Sequence, residues 1–245
     1  MAPINIDGSP VQDITIDGET VTEVTVDGTK VFPAIPDSLI SRWEFEQDFT
    51  DSIDGNDGNP INNPSFTTDS QVGSFALELT GSEYVEIGTP SNLAFTANDP
   101  FSIAVWVNAD SWSGPDGRSH WVSSRNGNDN MSFIFSLDST DIRWSVKGDS
   151  NVSQVIATPP STGTWNLLTG TYDGAGSIEF YFNDANSQGT DSASISGDVY
   201  SFWNIGNRED FNRRPDGRID DPRIYSKELS ASEVSNLFNT GSING

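Results

Sequence analysis

Gly217-Arg218-Ile219-Asp220-Asp221-Pro222-Arg223-Ile224-Tyr225, followed closely by Leu229-Ser230-Ala231-Ser232-Glu233-Val234, is the stretch that decides the architecture. Its β-branched and aromatic residues mark a last strand over residues 219–225. Pro222 has no N–H to give a ladder, so it points to an edge position. The next segment reads as a helix. Ser230 is placed as N-cap and Glu233, three residues on, as the return half of a capping box. Leu229 stands where a hydrophobic staple residue meets Val234. Val234, Leu237 and Phe238 share one face, and Gly241 is placed to end the helix.

Upstream of this closing unit the chain reads as strands separated by Gly, Asn, Asp and Ser turns. Residues 39–45 form one. Residues 75–79 and 84–87 are expected to pair across the Gly81-Ser82 turn. Residues 101–107 alternate strongly. Residues 131–137 and 142–147 form a hairpin through Asp138-Ser139-Thr140-Asp141, and residues 165–172 and 178–183 form another across Asp173-Gly174-Ala175-Gly176. Many strands and one short C-terminal helix specify an all-β fold, a two-sheet antiparallel sandwich.

The first residues differ. Ile4-Asn5-Ile6-Asp7-Gly8, Ile14-Thr15-Ile16-Asp17-Gly18 and Val24-Thr25-Val26-Asp27-Gly28 recur every ten residues, each running on to a valine, Val11, Val21 or Val31. These are short strands broken by Asp-Gly turns. They are too small to bury a core alone, so they need a surface to pack on. Phe32-Pro33-Ala34-Ile35-Pro36 is a stiff connector. The division is therefore an arm over residues 1–36, for anchoring or oligomerisation, and a main domain over residues 37–245. An alternative places the arm at an edge of the main sandwich.

Composition narrows the function. The 245 residues carry 36 acidic and 12 basic side chains, a net charge of −24 with His120 neutral. Such a surface repels phosphate backbones and anionic membrane surfaces, so neither nucleic-acid binding nor membrane insertion is expected. No apolar run is long enough to span a bilayer. Met1-Ala2-Pro3-Ile4 lacks the basic-then-apolar layout of a signal peptide, so export by that route is not expected. Seven Trp, 14 Phe and five Tyr supply a real core and argue against disorder. The acids are 25 Asp against 11 Glu, and arginine outnumbers lysine. That balance fits adaptation to molar salt, where screening over about 3 Å removes self-repulsion. With no cysteine, disulfides and thiolate chemistry are impossible.

Trp43-Glu44-Phe45, the Asp51-Ser52-Ile53-Asp54-Gly55-Asn56-Asp57-Gly58 loop, the strands listed above and the closing strand with its capped helix together resemble a laminin-G-like jelly roll of the concanavalin A-like lectin/glucanase superfamily, over about residues 38–243. The decapeptide arm resembles modules that begin virion proteins of tailed viruses. With the acidic composition it resembles a virion protein of a virus of extreme halophiles. The first resemblance implies a structural Ca2+ held by Asp51, Asp54, Asn56, Asp57 and Asp220, since calcium takes six to eight hard oxygens. The spacing is not that of an EF-hand, and a metal-free Asp-Gly turn loop is the alternative.

Jelly-roll lectins hold sugars on aromatic platforms and polar loops. Trp112, His120 and Trp121 fall on one expected loop, Trp203 and Phe211 on another, and these five are the candidate ligand-binding residues. Arg208, Arg213, Arg214, Arg218 and Arg223 crowd five of the twelve bases into sixteen positions. They pair locally with Glu209, Asp210, Asp216, Asp220 and Asp221, meet a neighbouring subunit, or bind an acidic glycan; Arg208, Arg213, Arg214 and Arg218 are the candidate interface. Catalysis is not expected. Glu44 and Glu46 share a strand face, but the carboxylate cluster of the glucanase relatives is not there. His120, the single histidine, lacks a nucleophile-elbow neighbourhood and reads as an exposed loop residue. Asn130-Met131-Ser132 and Asn151-Val152-Ser153 match the glycosylation triplet only weakly. The expectation is a non-enzymatic virion surface protein in a high-salt environment. It would be a homo-oligomer, trimer or pentamer, contacting other virion proteins through residues 1–36 and host surface glycans through the jelly roll. The alternatives are a cell-surface carbohydrate-binding adhesin and a glycan hydrolase with a non-standard site.

Overall fold

Strand pairing follows from where turns fall and from which face of each strand is apolar. A computed structural model describes residues 38–114, 117–126, 129–136, 140–147, 151–197, 202–207 and 213–244, with four short strands of the arm. In the arm, β1 (Thr15–Ile16) pairs with β2 (Glu19–Thr20), and β3 (Val24–Val26) with β4 (Thr29–Phe32), as separate two-stranded sheets. The first decapeptide lies outside the described residues.

The main domain is two antiparallel sheets. The larger runs β17 (Asn186–Ser192), β16 (Ser177–Phe182), β15 (Asn166–Tyr172), β10 (Phe101–Ser111), β19 (Asp216–Tyr225), β8 (Ala76–Thr80), β7 (Ser65–Thr67), with β5 (Leu39–Arg42) also on β19. The smaller runs β14 (Val152–Ala157), β13 (Ile142–Lys147), β12 (Asp129–Ser136), β11 (Ser119–Asn126), β18 (Phe202–Ile205), β9 (Tyr84–Gly88), β6 (Asn59–Ile61). This is the expected jelly-roll sandwich.

Period-two alternation builds two cores. Phe101, Ile103, Val105, Val107 and Ala109 of β10 point between the sheets, where they meet Trp121, Phe133, Trp144 and Trp203 of the smaller sheet. Phe133 stacks on Trp203 and on Trp144, with ring centroids 4.7 and 5.6 Å apart. Ala104 and Trp106 point the other way, into a second cluster with Leu167, Tyr181 and Tyr225. Helix α1 (Ala231–Thr240) covers that outer face with Val234 and Leu237, and Phe238 lies 5.5 Å from Trp106. Its ends form as the sequence requires. The Ser230 hydroxyl accepts from the Glu233 N–H, the Glu233 carboxylate accepts from the Ser230 N–H, and Gly241 closes the helix at φ 75°.

Two hairpins, β12–β13 and β15–β16, pair as the turns predict. Residues 75–79 and 84–87 do not pair. β8 joins β19 and β7, whereas β9 joins β18 and β6, so the Gly81-Ser82 turn crosses between sheets. Leu77, Leu79 and Val85 then all enter the main core, where apolar burial outweighs the ladder a hairpin would give.

Pro222 is not at an edge either. β19 is internal, and Pro222 sits at a bulge. Ala104 faces Arg223 and Trp106 faces Asp220, so β19 carries one extra residue, and Asp221 takes φ 50°. On the other side β8 ends its pairing at Ile219 and β5 begins at Arg223. Residues 220–222 fall between neighbours, so the missing N–H of Pro222 costs no ladder bond, and its carbonyl accepts the Trp43 N–H at 3.1 Å. The extra residue resets the alternation. Ile219 and Ile224, five apart, both face the main core.

The sheets meet along β14 and β17. The Gln154 N–H on β14 donates to the Asp191 carboxylate at 2.8 Å, and the Ser153 hydroxyl to the Gly176 carbonyl at 2.8 Å. Val152 and Ile156 point outward, 48% and 55% exposed.

Trp144 lies flat over Gly170. A Cβ placed there would come within 2.2 Å of the indole, whose Nε1–H already donates to the Thr171 carbonyl at 3.0 Å. Gly170→Ala should therefore overpack the core and cost about 1–3 kcal/mol, read as a lower chemical-denaturation midpoint with an unchanged slope.

Candidate functional site

The bulge gathers charge that the sandwich must hold. Asp221 is 2% exposed. Its carboxylate accepts from Arg42 Nε at 2.7 Å and from Arg223 Nη2 at 2.5 Å. Arg223, also buried, donates from Nη1 to the Gly241 carbonyl at 2.6 Å, and its neighbour Asp221 holds its guanidinium charged against the cost of burial. Asp220 points to the outer face. One oxygen accepts the Gln71 and Val72 N–H groups, both at 2.8 Å; the other is buried with no hydrogen-bond partner. Burial pushes this carboxyl up to about 7 against those two hydrogen bonds, with Asp221 and Glu46 adding to the rise. Glu46 continues the pattern, accepting the Ser74 and Phe75 N–H groups at 2.8 and 3.2 Å. Two carboxylates thus clasp one loop, residues 71–75, through four backbone donors.

The five residues expected to hold calcium do not converge. Asp51 is buried, and its oxygens accept the N–H groups of Arg42, Ile53 and Asn56 at 2.9, 3.0 and 3.1 Å. Asp57 accepts the Asp51 N–H at 2.9 Å, Asn56 donates to Ser41 Oγ at 2.8 Å, and Asp54 accepts from exposed Asn92 at 3.1 Å. Asp220 is engaged separately by residues 71–72. Among the described residues no group of three or more His, Asp or Glu is arranged to hold a metal ion. Asp51 and Asp57 are committed to backbone donors and Asp54 to the Asn92 amide, so as arranged here these side chains do not fit a shared calcium.

The expected aromatic platform is also absent among the described residues. Trp112, Trp121 and Trp203 are at most 4% exposed, and His120, expected on an exposed loop, is fully buried. Trp112 packs edge-on against Trp121 at 5.5 Å and donates to the Pro160 carbonyl at 2.7 Å; Trp203 donates to the Leu93 carbonyl at 2.9 Å. His120 stacks on Phe135 at 5.3 Å. The Gly, Pro and Ser residues around positions 112–121 read as loop, but β11 begins at Ser119 and carries His120 and Trp121 into the interior, while Trp112 turns inward just past β10. Phe211 and Arg208 lie outside the described residues.

The other arginines of the cluster separate. Arg218 bridges Asp69 and Asp110 at 3.2 and 3.0 Å, which is local pairing. Arg213 and Arg214 lie against the turn that precedes β11. The His120 N–H donates to the Arg213 carbonyl at 3.1 Å. A Cβ at Gly114 would come within 2.3 Å of the Arg214 carbonyl oxygen and 2.9 Å of the Arg118 carbonyl oxygen. Two chain segments therefore bring Arg118, Arg213 and Arg214 to one corner. Burial lowers the Arg213 guanidinium, and the neighbouring Arg118 charge lowers it further.

Against known proteins, a family model described as the concanavalin A-like lectin/glucanases superfamily matches residues 79–235. The chain belongs to this superfamily. Superfamily membership thus rests on the stretch from the end of β8 into α1, and the Asp51–Asp57 loop lies before it. Comparison with the curated proteins finds no match. Among solved structures, the chain is similar to domain 4 of the extracellular arabinanase AbnA of Geobacillus stearothermophilus, solved with arabinotriose. That likeness has TM-score 0.61 at 17% identity, over 82% of this chain and 98% of that one. It is similar to the binding domain of botulinum neurotoxin serotype G, at TM-score 0.64 and 16% identity, over 82% of this chain and 50% of that one. It is also similar to the binding domain of Paraclostridial mosquitocidal protein 1, at TM-score 0.64 and 19% identity, over 84% and 52%. The chain thus spans about half of each toxin domain. At these identities the likeness is one of fold.

On this superfamily scaffold the structure adds a feature that no motif announces. A cleft of about 450 Å³ opens beside the β16–β17 hairpin, lined by Ser177, Glu179, Thr190, Asp191 and Glu228. Burial raises the Glu228 carboxyl, with Asp173 and Glu179 adding to it. One hairpin supplies its walls, and Glu228 reaches it from a distant segment, so only the fold completes it.

Two outcomes test the bulge centre. Arg223→Ala leaves Asp221 half-neutralised in the interior and should cost about 3–5 kcal/mol in unfolding free energy. Asp220 binds its proton more tightly folded than unfolded, so as pH falls from about 7 towards 4 the native protein gains stability from this group. Asp220→Asn lacks that term. Its stability relative to the parent should be highest near pH 8 and decline towards pH 4 by roughly 1.4 kcal/mol per unit. A difference that stays flat across paired urea titrations would refute the assignment.

Proposed function

We propose that this chain is a non-enzymatic display protein, a virion surface protein whose lectin-like domain contacts host surface glycans. The observation that carries the non-catalytic part is where the candidate catalytic groups go. Glu44 pairs with Arg42 at 2.8 Å, Glu46 holds the 74–75 backbone, and His120 is sealed beneath the corner of the smaller sheet. Each is spent on the fold. Support for glycan contact comes from the superfamily and from the arabinanase domain solved with arabinotriose. A further similar structure, the binding domain of botulinum neurotoxin DC solved with rat synaptotagmin II (TM-score 0.64, 17% identity), supports a receptor-contacting role for the same scaffold.

The virion placement rests on the repeated decapeptides of residues 1–36. In this reading they anchor the protein to other virion proteins and join copies into a trimer or pentamer, because such short strands need a surface to pack on. The acidic coat supports a particle that works in concentrated salt. Among the described residues no helix is long and apolar enough to cross a membrane.

Removing residues 1–36 should abolish incorporation into particles while leaving glycan binding by the jelly roll unchanged. Normal incorporation of the truncated chain would favour the adhesin alternative, and release of reducing sugar from host-surface glycans would establish a hydrolase. Dialysis from molar salt into dilute buffer should shift tryptophan emission to the red as the sandwich loosens.

A further inference from the structure

The cleft beside the β16–β17 hairpin is lined by side chains that the fold leaves unused. Ser177 and Glu179 stand two apart on β16, and Thr190 and Ser192 two apart on β17, so each pair points to one face of its strand. Register sets Glu179 opposite Thr190 and Ser177 opposite Ser192, which brings all four to the same face of the hairpin. Asp191 and Glu228, the latter from the segment between β19 and α1, complete the polar lining. Among the described residues the hydroxyls of Ser177, Thr190 and Ser192 and the Glu228 carboxylate have no hydrogen-bond partner. No lysine or arginine lines the space, and Lys227, next to Glu228 in sequence, is paired with Glu233.

The walls are fixed although the lining is free. Asp191 accepts the Gln154 N–H at 2.8 Å. Glu179 accepts the Ser187 hydroxyl at 2.6 Å, and the Tyr181 phenol bonds to the same carboxylate. Asp173 accepts the Ala175 and Ser177 N–H groups at 2.7 and 2.9 Å, closing the turn that enters β16. Ser102 holds both neighbours of Glu228. Its hydroxyl donates to the Lys227 carbonyl at 2.8 Å and accepts the Leu229 N–H at 2.9 Å. A ligand would therefore meet groups whose backbone is already ordered, which lowers the entropy lost on binding.

We infer that this cleft is where the chain contacts glycan, and that it takes an uncharged sugar residue through its hydroxyl groups. The inference deepens the glycan-contact reading and rests on it. The volume of about 450 Å³ falls within the range of small-ligand sites, about 300–1,000 Å³. Hydroxyls that donate and accept, set among carboxylates that only accept, match a ligand rich in O–H groups. Burial, with Asp173 and Glu179 nearby, raises the Glu228 carboxyl, and an O–H donor brought to it favours the charged form again. A uronate or sulfate would instead set one more anion against Glu179, Asp191 and Glu228. Direct hydrogen bonds also persist in concentrated salt, where long-range attraction is screened.

The test measures binding of the full chain to a panel of neutral glycans that includes arabinan, mannan and dextran, to polygalacturonate and its carboxyl-reduced form, and to polylysine. The variants are Thr190→Val, Ser192→Ala and Glu228→Gln. All three positions are exposed, so each variant should keep the parent's thermal midpoint. The expected result is binding of at least one neutral glycan, weakened about tenfold by Glu228→Gln and about threefold or more by each loss of a hydroxyl. Polygalacturonate should bind more weakly than its carboxyl-reduced form. Neutral-glycan binding that none of the variants moves would overturn the cleft while leaving the glycan-contact reading intact. Preference for polygalacturonate, or binding of acidic glycans alone, would do the same. Binding of polylysine without any glycan would reduce the cleft to an acidic attraction and remove both readings, as would no binding of any probe.

Discussion

The structure depends on a single carboxylate at a place where a strand must be interrupted. Asp221 sits in the left-handed region at the bulge of β19, buried between Arg42 of β5 and Arg223 of β19, and Arg223 reaches on to the Gly241 carbonyl that caps α1. First strand, closing strand and helix are therefore joined at one point. A buried triad of this kind is weak evidence for net stability, since desolvation offsets much of the attraction. Its effect is on register. One extra residue in β19 turns Ile219 and Ile224 to the same core, and slipping the strand by one would expose one of them while stranding a charge.

The parts of the fold that are readable from sequence are those governed by neighbours in the chain. The capping box of Ser230 and Glu233, the turn at Gly241 and the β12–β13 and β15–β16 hairpins are local arrangements, and each forms as expected. Features decided by distant segments read wrongly. Gly81-Ser82 looks like a hairpin turn, yet the core draws β8 and β9 into opposite sheets. Pro222 looks like an edge marker because its two flanking neighbours, β8 and β5, are about 140 and 180 positions away in sequence and only the fold shows that they leave a gap there. Trp112, His120 and Trp121 sit among turn formers, but their rings answer to the packing of the smaller sheet.

The same distinction governs charge. Composition describes a uniformly acidic skin, and its carboxylates prove to be doing different things. Asp51, Asp57, Glu46 and Asp220 substitute for strands by collecting backbone donors in the loops that close one end of the outer face. Glu179, Asp191 and Glu228 line an open cleft. The scarce arginines serve as ties as well: Arg42, Arg143, Arg218 and Arg223 each hold a carboxylate of the same chain.

The seam between β14 and β17 has a consequence for life at high local concentration. An outer strand with Val152 and Ile156 turned to solvent is the sort of edge that recruits the edge of another molecule. Here Asp191 occupies the Gln154 N–H from within the same chain, so the edge presents an incomplete template. Copies crowded side by side on a surface would meet an edge whose pairing rhythm is already broken, and would remain separate bodies instead of zipping into a continuous sheet.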